Sequence, residues 1–517
     1  MRVKNSLRNM IYIYGSTALI VILNFIVRRV FLDVLKVDYL GYDGLFTSIF
    51  SFLNLSEMGI ATIITYHMYS EIASDNKENI RKLLYTYKMI YRVVGAFVLL
   101  AGIVASLFLP LILNDRQKES WLFIYTIYFL QLLATLCTYF FAYRRILFIT
   151  HQRLYVCTVV DTSVNIVSVI ARMMILLYLR NYIVYLIIAI AANVTSNLII
   201  SLRAKKEYPD LLEEKVSTAY MKELDLFHDV KNMMMMKIAA TLYGASDDII
   251  VTYILGVATN GIVSNYKMIT GKIQELILSL FNSLQASIGN LVYDNDKEKE
   301  KGIDFFYALD MIGFFFGLIC ATGLISIGQP FVLLWLKKEE LLLPYSCLMA
   351  LGINMFIALC NNPMNFFRNT LGHFETDRNY MIISAVVNIV LSIALCIPYG
   401  ITGVFIATII GHLFIYAGRT IVVFRYYIKK PCTGYLILVI LRFVILGASI
   451  GISFILGNMA TANISMLLLE VLIKGVISVA VSFAFFMISG IRTKAFGVIV
   501  LYVKRVLGML VGRKKEA

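Results

Sequence analysis

Charged side chains interrupt the apolar runs of this chain where hydrocarbon would penalise them, and these are the residues able to do chemistry. Arg28, Arg29, Arg172, Lys237, Lys267, Lys272, Arg419, Arg442 and Lys474 all fall inside stretches built mainly of Ile, Leu, Val, Phe and Met. An arginine or lysine at mid-membrane costs about 2.5–3.5 kcal/mol, so exposing all of them to lipid would cost on the order of 25 kcal/mol. That exceeds the whole stability of a typical domain. They must therefore pair, reach the membrane surface, or face an aqueous cavity.

Helical spacing separates these cases. Tyr14, Thr17, Asn24 and Arg28 share one helical face, with Arg29 beside it. Asp161, Asn165, Ser168 and Arg172 share another, as do Lys237, Thr241, Asp248 and Thr252, with Asp247 adjacent. Lys267, Gly271 and Gln274 form a stripe, flanked by Lys272 and Glu275, and Asn54 falls close to Glu57. Polar stripes at a similar depth on several helices predict a shared cavity. Glu470 and Lys474, spaced i,i+4, are expected to pair on one helix, and Arg442, early in its apolar run, is expected to snorkel to the inner surface.

Other chemistry has no support. The chain carries no P-loop, no dinucleotide-binding glycine pattern and no H-E-x-x-H. His67, His151, His228, His373 and His412 are scattered without ligand spacing, and the cysteines lie in or beside apolar runs as packing residues. No metal, cofactor or catalytic residue is expected.

The elements that must position these residues are transmembrane helices. A chain of 517 residues, 60% hydrophobic and 15% charged, is too apolar for a soluble protein of this size. Its apolar blocks run to about 20 residues, the length of a bilayer-spanning helix, and fourteen such spans are expected. The first is read as a retained helix, since no small-residue cleavage site follows it. The fold class is therefore an all-α polytopic membrane protein.

The net charge of +15 has the distribution of a membrane topology, which argues against nucleic acid as a partner. With a cytoplasmic N-terminus, the external segments hold only Lys36, Arg116, Lys118, Arg180, Lys337 and Lys338. Most of the 47 Lys and Arg then lie inside, so both termini are expected in the cytoplasm. No external loop is long enough for a catalytic domain.

The chain also repeats itself. At an offset near 220 residues Gly41 falls on Gly261, Asn54 on Gln274, Pro110 on Pro330 and Arg28 on Asp248, and V-N-I-V recurs at Val164 and Val387. The expected organisation is a six-helix lobe at 1–202, a cytoplasmic linker at 203–233 and a second six-helix lobe at 234–430. Two further spans follow at 431–490 and a basic amphipathic tail at 491–517. Such duplicated lobes enclose a central cavity, across which Arg28 and Asp248 are expected to pair.

The opening N-x-x-x-N with a late arginine in the first span, LGYDGLFTSIFSFLNLSEMGI at 40–60, IASDNKENIRKLLYTY after it and TNGIVSNYKMI at 259–269 carry a resemblance. They resemble the polysaccharide-transporter (Wzx-type) branch of the multidrug/oligosaccharidyl-lipid/polysaccharide exporter superfamily. The resemblance implies two lobes about a cavity and translocation of an undecaprenyl-diphosphate-linked oligosaccharide to the outer leaflet of a bacterial cell membrane. It carries functional cations onto Arg28 or Arg29 and onto Lys267 or Lys272. The implied partners are the lipid-linked oligosaccharide, membrane lipids, a polysaccharide polymerase and glycosyltransferases. Coupling to a proton or sodium gradient, or to the membrane potential, stays open. A drug or cation antiporter would want a more acidic cavity, a polymerase or ligase would need a long external loop, and a non-transporting scaffold would have no use for the polar stripes.

Overall fold

The computed structural model of the chain describes all residues except 1, 54–59, 115–118, 142, 213, 217–225, 294–295, 372–373, 458–463, 492, 502–503 and 505–517. Asn54, Glu57 and most of the basic tail thus lie outside the described residues. The described chain is helical throughout. It runs α1 (Arg2–Val34), α2 (Val37–Leu53), α3 (Ile60–Ala73), α4 (Lys77–Ser106), α5 (Leu109–Leu113), α6 (Trp121–Phe141), α7 (Arg145–Thr150), α8 (Leu154–Tyr178) and α9 (Tyr182–Glu207). After the linker come α10 (Leu226–Leu255), α11 (Val257–Tyr293), α12 (Asp296–Leu336), α13 (Tyr345–Leu371), α14 (Phe374–Tyr399), α15 (Ile401–Val423), α16 (Thr433–Leu456) and α17 (Ile464–Gly490).

Among the described residues, 10 helices are long and apolar enough to cross a membrane. The helix ends follow from local chemistry. Asn181 opens α9 by accepting from the Ile183 and Val184 N–H groups at 2.9 and 3.2 Å, satisfying donors that have no partner within the helix. Asn76 does the same for α4, accepting from Asn79 N–H at 3.2 Å. Gly400, at φ +58°, makes the turn between α14 and α15 that a side chain would strain. Pro110 and Pro330, matched by the repeat, behave differently: Pro110 sits in the first turn of the short α5, whereas α12 continues through Pro330.

The chain forms two compact units, residues 1–264 and 265–517. In the first, α2 packs against α4, α6 and α10. Its Tyr42, Leu45, Phe46 and Phe50 are buried, and both phenylalanine rings lie 5.1 Å from the Tyr128 ring of α6. Tyr128 in turn donates its hydroxyl to the Gly102 carbonyl at 2.8 Å.

The same unit holds a contact that bears on the duplication. The start of α2 crosses the start of α11 so closely that a Cβ on Gly41 would lie 1.9 Å from the Val257 carbonyl oxygen. Reciprocally, a Cβ on Gly261 would lie 2.2 Å from the Val37 carbonyl oxygen and 3.1 Å from Gly41 N. The offset that aligns Gly41 with Gly261 and Val37 with Val257 thus brings those residues against one another. Only glycine permits this approach, and Asn260 adds a hydrogen bond from Nδ2 to the Gly41 carbonyl at 3.2 Å.

In the second unit α13 lies deepest, packed between α12 and α15. Gly313 and Gly317 of α12 let it approach the Leu359 carbonyl and the Phe356 and Cys360 side chains. α16 and α17 pack on α12, where Phe315 meets Phe486 with ring centroids 4.5 Å apart.

Candidate functional site

In the first unit, four helices bring charge and hydrogen-bonding groups to one place. α1 supplies Arg28, α2 Asp43, α8 Arg172, and α9 Tyr182 and Tyr185. Arg28 Nη1 donates to Ser264 Oγ at 3.2 Å. Arg172 Nη1 donates to the Tyr185 hydroxyl at 3.3 Å, with its guanidinium 5.2 Å from the centre of that ring, an attraction between cation and ring face. Asp43 Oδ1 accepts from Gln131 Nε2 of α6 at 2.9 Å and lies within electrostatic reach of both arginines.

Two guanidinium groups around one carboxylate leave an excess positive charge inside an apolar bundle. Arg172 Nε and, two turns earlier on α8, Asn165 Oδ1 are buried and find no hydrogen-bond partner among the described residues. Buried polar atoms are normally satisfied; the Arg172 Nε–H is a donor that an anion's oxygen can fill, whereas the Asn165 amide oxygen needs a donor such as a hydroxyl. Guanidinium groups recognise phosphates through just such charge-assisted, often bidentate bonds.

The structure separates the residues expected at the site. Arg28 joins the cluster, Asn24 lies half-buried one turn before it, and Arg29 instead faces Asp33 along its own helix at 3.9 Å. Asp161 shares the α8 stripe with Arg172 but is held elsewhere. Arg145 grips both of its oxygens at 2.6 and 3.0 Å and Ser196 donates to it as well, so its charge is spent on closing α7, α8 and α9 together. Asp248 accepts from Ser48 Oγ at 2.8 Å, and Asp247 is buried. Arg28 therefore donates to Ser264 rather than to Asp248 in this structure. Lys237 belongs to α10 with its side chain outside the described residues.

In the second unit Lys267 and Gln274 are half-buried on α11, and Lys272 pairs with Glu275 at 2.7 Å. Lys474 meets Glu470 at 2.5 Å, the pairing that the i,i+4 spacing predicts. Arg442 corrects an expectation. It does not snorkel: it is 5% exposed and holds Asp310 of α12 through bonds of 3.0 and 2.5 Å. A counter-charge at the same depth removes the drive toward the surface. Tyr435 donates to the same carboxylate at 2.6 Å.

The linker also differs from a simply solvated segment. Residues 207–212 and 214–216 lie along the first unit, where Glu207 pairs with Arg153 and Arg203, Asp210 with Lys77 and Glu214 with Arg81. Burial alone would raise the Glu207 carboxyl, but the hydrogen bond from Arg203 and the two guanidinium charges outweigh it and leave the group below its ordinary value.

Comparison with known proteins gives this arrangement its context. Residues 6–284, more than half of the chain, match the family described as polysaccharide biosynthesis protein. The chain belongs to that family. No curated protein matches it in sequence. Among solved structures, the chain is similar to the lipid II flippase MurJ in an inward closed conformation, at 15% identity and a TM-score of 0.65, covering 93% of this chain and 99% of that one. It is also similar to an inward-facing multidrug resistance MATE transporter of the MOP superfamily, at 14% identity and TM-score 0.58, covering 77% and 92%. A MOP superfamily transporter from Pyrococcus furiosus follows at 14% identity and TM-score 0.53, covering 80% and 94%. This polysaccharide biosynthesis protein therefore has the all-α fold seen in those membrane transporters.

Proposed function

We propose that this protein is a flippase that moves an undecaprenyl-diphosphate-linked oligosaccharide from the cytoplasmic to the outer leaflet of a bacterial inner membrane by alternating access. The observation that carries the reading is the pair Arg28 and Arg172 around the single carboxylate of Asp43, with Arg172 Nε unsatisfied. A diphosphate is a partner such a surplus of buried guanidinium charge can use, whereas a cationic drug would be repelled by it. The diphosphate and its sugars pass through the protein while the lipid tail stays in the bilayer. Both termini and the strap held by Glu207, Asp210 and Glu214 lie in the cytoplasm on this reading. Glycosyltransferases supply the substrate and a polymerase consumes it, while an ion gradient or the membrane potential gives direction.

The test is made in cells that depend on the protein for surface polysaccharide. Arg28→Ala and Arg172→Ala are expected to abolish surface polysaccharide while lipid-linked oligosaccharide accumulates on the cytoplasmic leaflet, with the variants present in the membrane at normal level. Normal surface polysaccharide from both variants would reject the reading.

A further inference from the structure

Beside the arginine cluster, α2, α6 and α9 line an open-sided cavity of about 270 Å³ that the diphosphate reading does not use. Asp43 forms one end of it. Thr47 continues the same face of α2, Gln131 projects from α6 and Asn193 from α9, while Phe50 and Leu186 give it an apolar wall. We infer that this cavity is the subsite for the sugar next to the diphosphate, and that it takes one monosaccharide residue. The inference rests on the flippase reading and names the part of the substrate that this pocket holds.

The lining is chemically specific. Asp43 Oδ1 takes the Gln131 amide, and no described residue donates to Oδ2. Ser51 and Thr135, also in the wall, donate their hydroxyls to the carbonyls of Thr47 and Gln131 on their own helices. Their oxygens are thereby left as acceptors. Thr47 Oγ1 and the Asn193 amide make no side-chain hydrogen bond among the described residues, and both residues are exposed to the cavity space. The wall is therefore rich in acceptors, with the Asn193 amide and the Thr47 hydroxyl able to donate.

A sugar ring is the complement of such a wall. Its hydroxyl edges donate and accept in several directions, and its C–H faces lie on apolar or aromatic surface of the kind Phe50 and Leu186 provide. A cationic ligand fits poorly, because the one carboxylate present already lies within reach of Arg28 and Arg172. A purely apolar ligand would cover the Asn193 amide and the Thr47 hydroxyl without giving either a partner, which is costly. The volume holds roughly nine waters' worth of space, room for a single ring and not for an oligosaccharide. Because Asp43 belongs both to this cavity and to the arginine cluster, a sugar bound here would have its diphosphate beside Arg28 and Arg172.

The experiment uses the full-length protein in lipid nanodiscs and two probes, undecaprenyl diphosphate bearing one N-acetylhexosamine and undecaprenyl diphosphate without sugar. Asn193→Ala and Thr47→Val each remove hydrogen bonds at exposed positions, and Ala189→Phe fills the cavity. Each is expected to weaken binding of the sugar-bearing probe by roughly tenfold and to leave the bare probe unchanged. Arg28→Ala is expected to weaken both probes equally. Equal weakening of the two probes by the cavity variants, or none, would overturn the sugar subsite. If Arg28→Ala instead spares both probes, the diphosphate reading is what fails, while a selective loss from the cavity variants would still support the subsite.

Discussion

Replacing Asp310 by alanine removes the carboxylate that neutralises Arg442 inside the second unit. The guanidinium is held by two bonds of 3.0 and 2.5 Å, and the two side chains are 7% and 1% exposed. Stranding one partner of a buried pair costs about 3–5 kcal/mol. Tyr435 keeps a second partner, the Tyr416 hydroxyl at 2.7 Å, so its share of the loss is small. At about 1.4 kcal/mol per tenfold, the folded population of Asp310→Ala falls by roughly two to three and a half orders of magnitude relative to its unfolded competitors. Replacing both charges, as Asp310→Leu with Arg442→Met, removes the stranded cation and is expected to restore or exceed native stability, by up to about 4 kcal/mol. The assay heats detergent-solubilised protein and measures the fraction that remains monodisperse on size exclusion. Because Arg442 and Tyr435 lie on α16, early loss in Asp310→Ala should be accompanied by proteolysis between α15 and α16. An Asp310→Ala protein as heat-resistant as the native one, or a double variant weaker than the single, would refute the reasoning.

Gly41→Ala and Gly261→Ala are each expected to destabilise the first unit by about 1–3 kcal/mol, since the added methyl meets backbone carbonyls that cannot swing aside; equal heat resistance of either variant would contradict the contact. The strap held by Glu207, Asp210 and Glu214 should loosen in acid. The Glu207 carboxyl is depressed in the folded protein, so its contribution is fully present above its ordinary value of 4.5 and is lost as pH falls through the lower folded-state value. Protease cleavage of the strap on unsealed membranes should rise in that window for the native protein. Glu207→Gln should show the raised cleavage at every pH. Single cysteines at Asn114, Ser217 and Asn458, in a background without the natural cysteines, should be labelled by an impermeant reagent in intact cells at Asn114 and Asn458 only. Labelling at Ser217 would invert the topology.

The features legible in the sequence are those written in local spacing. The i,i+4 pair Glu470 and Lys474 needed only a helix, and the long apolar runs gave membrane helices. Gly41 and Gly261, which the offset near 220 aligns, have a physical task in the close crossing of α2 and α11. What was not legible depends on partners distant in the chain. Asp310 lies 132 residues from Arg442, so nothing in either run showed that the arginine would be neutralised at depth. Asp161 sits on the same stripe as Arg172, yet Arg145 captures it. Asp43 stood in view within LGYDGLF, and its role emerged only when α6 brought Gln131 to it from 88 residues away. Periodicity reports which residues share a face; it does not report what that face meets.

The central claim is that the arginine cluster serves transfer of a lipid diphosphate carrying sugars, and reconstituted vesicles test it most directly. Purified protein is placed in liposomes with fluorescent undecaprenyl-diphosphate oligosaccharide, and the label is quenched from outside by a membrane-impermeant reductant. The account predicts transfer between leaflets well above protein-free vesicles, a fall to the protein-free rate in Arg28→Ala, and no transport of a cationic dye in the same vesicles. Transport of the dye together with an unaccelerated lipid-linked oligosaccharide would contradict it.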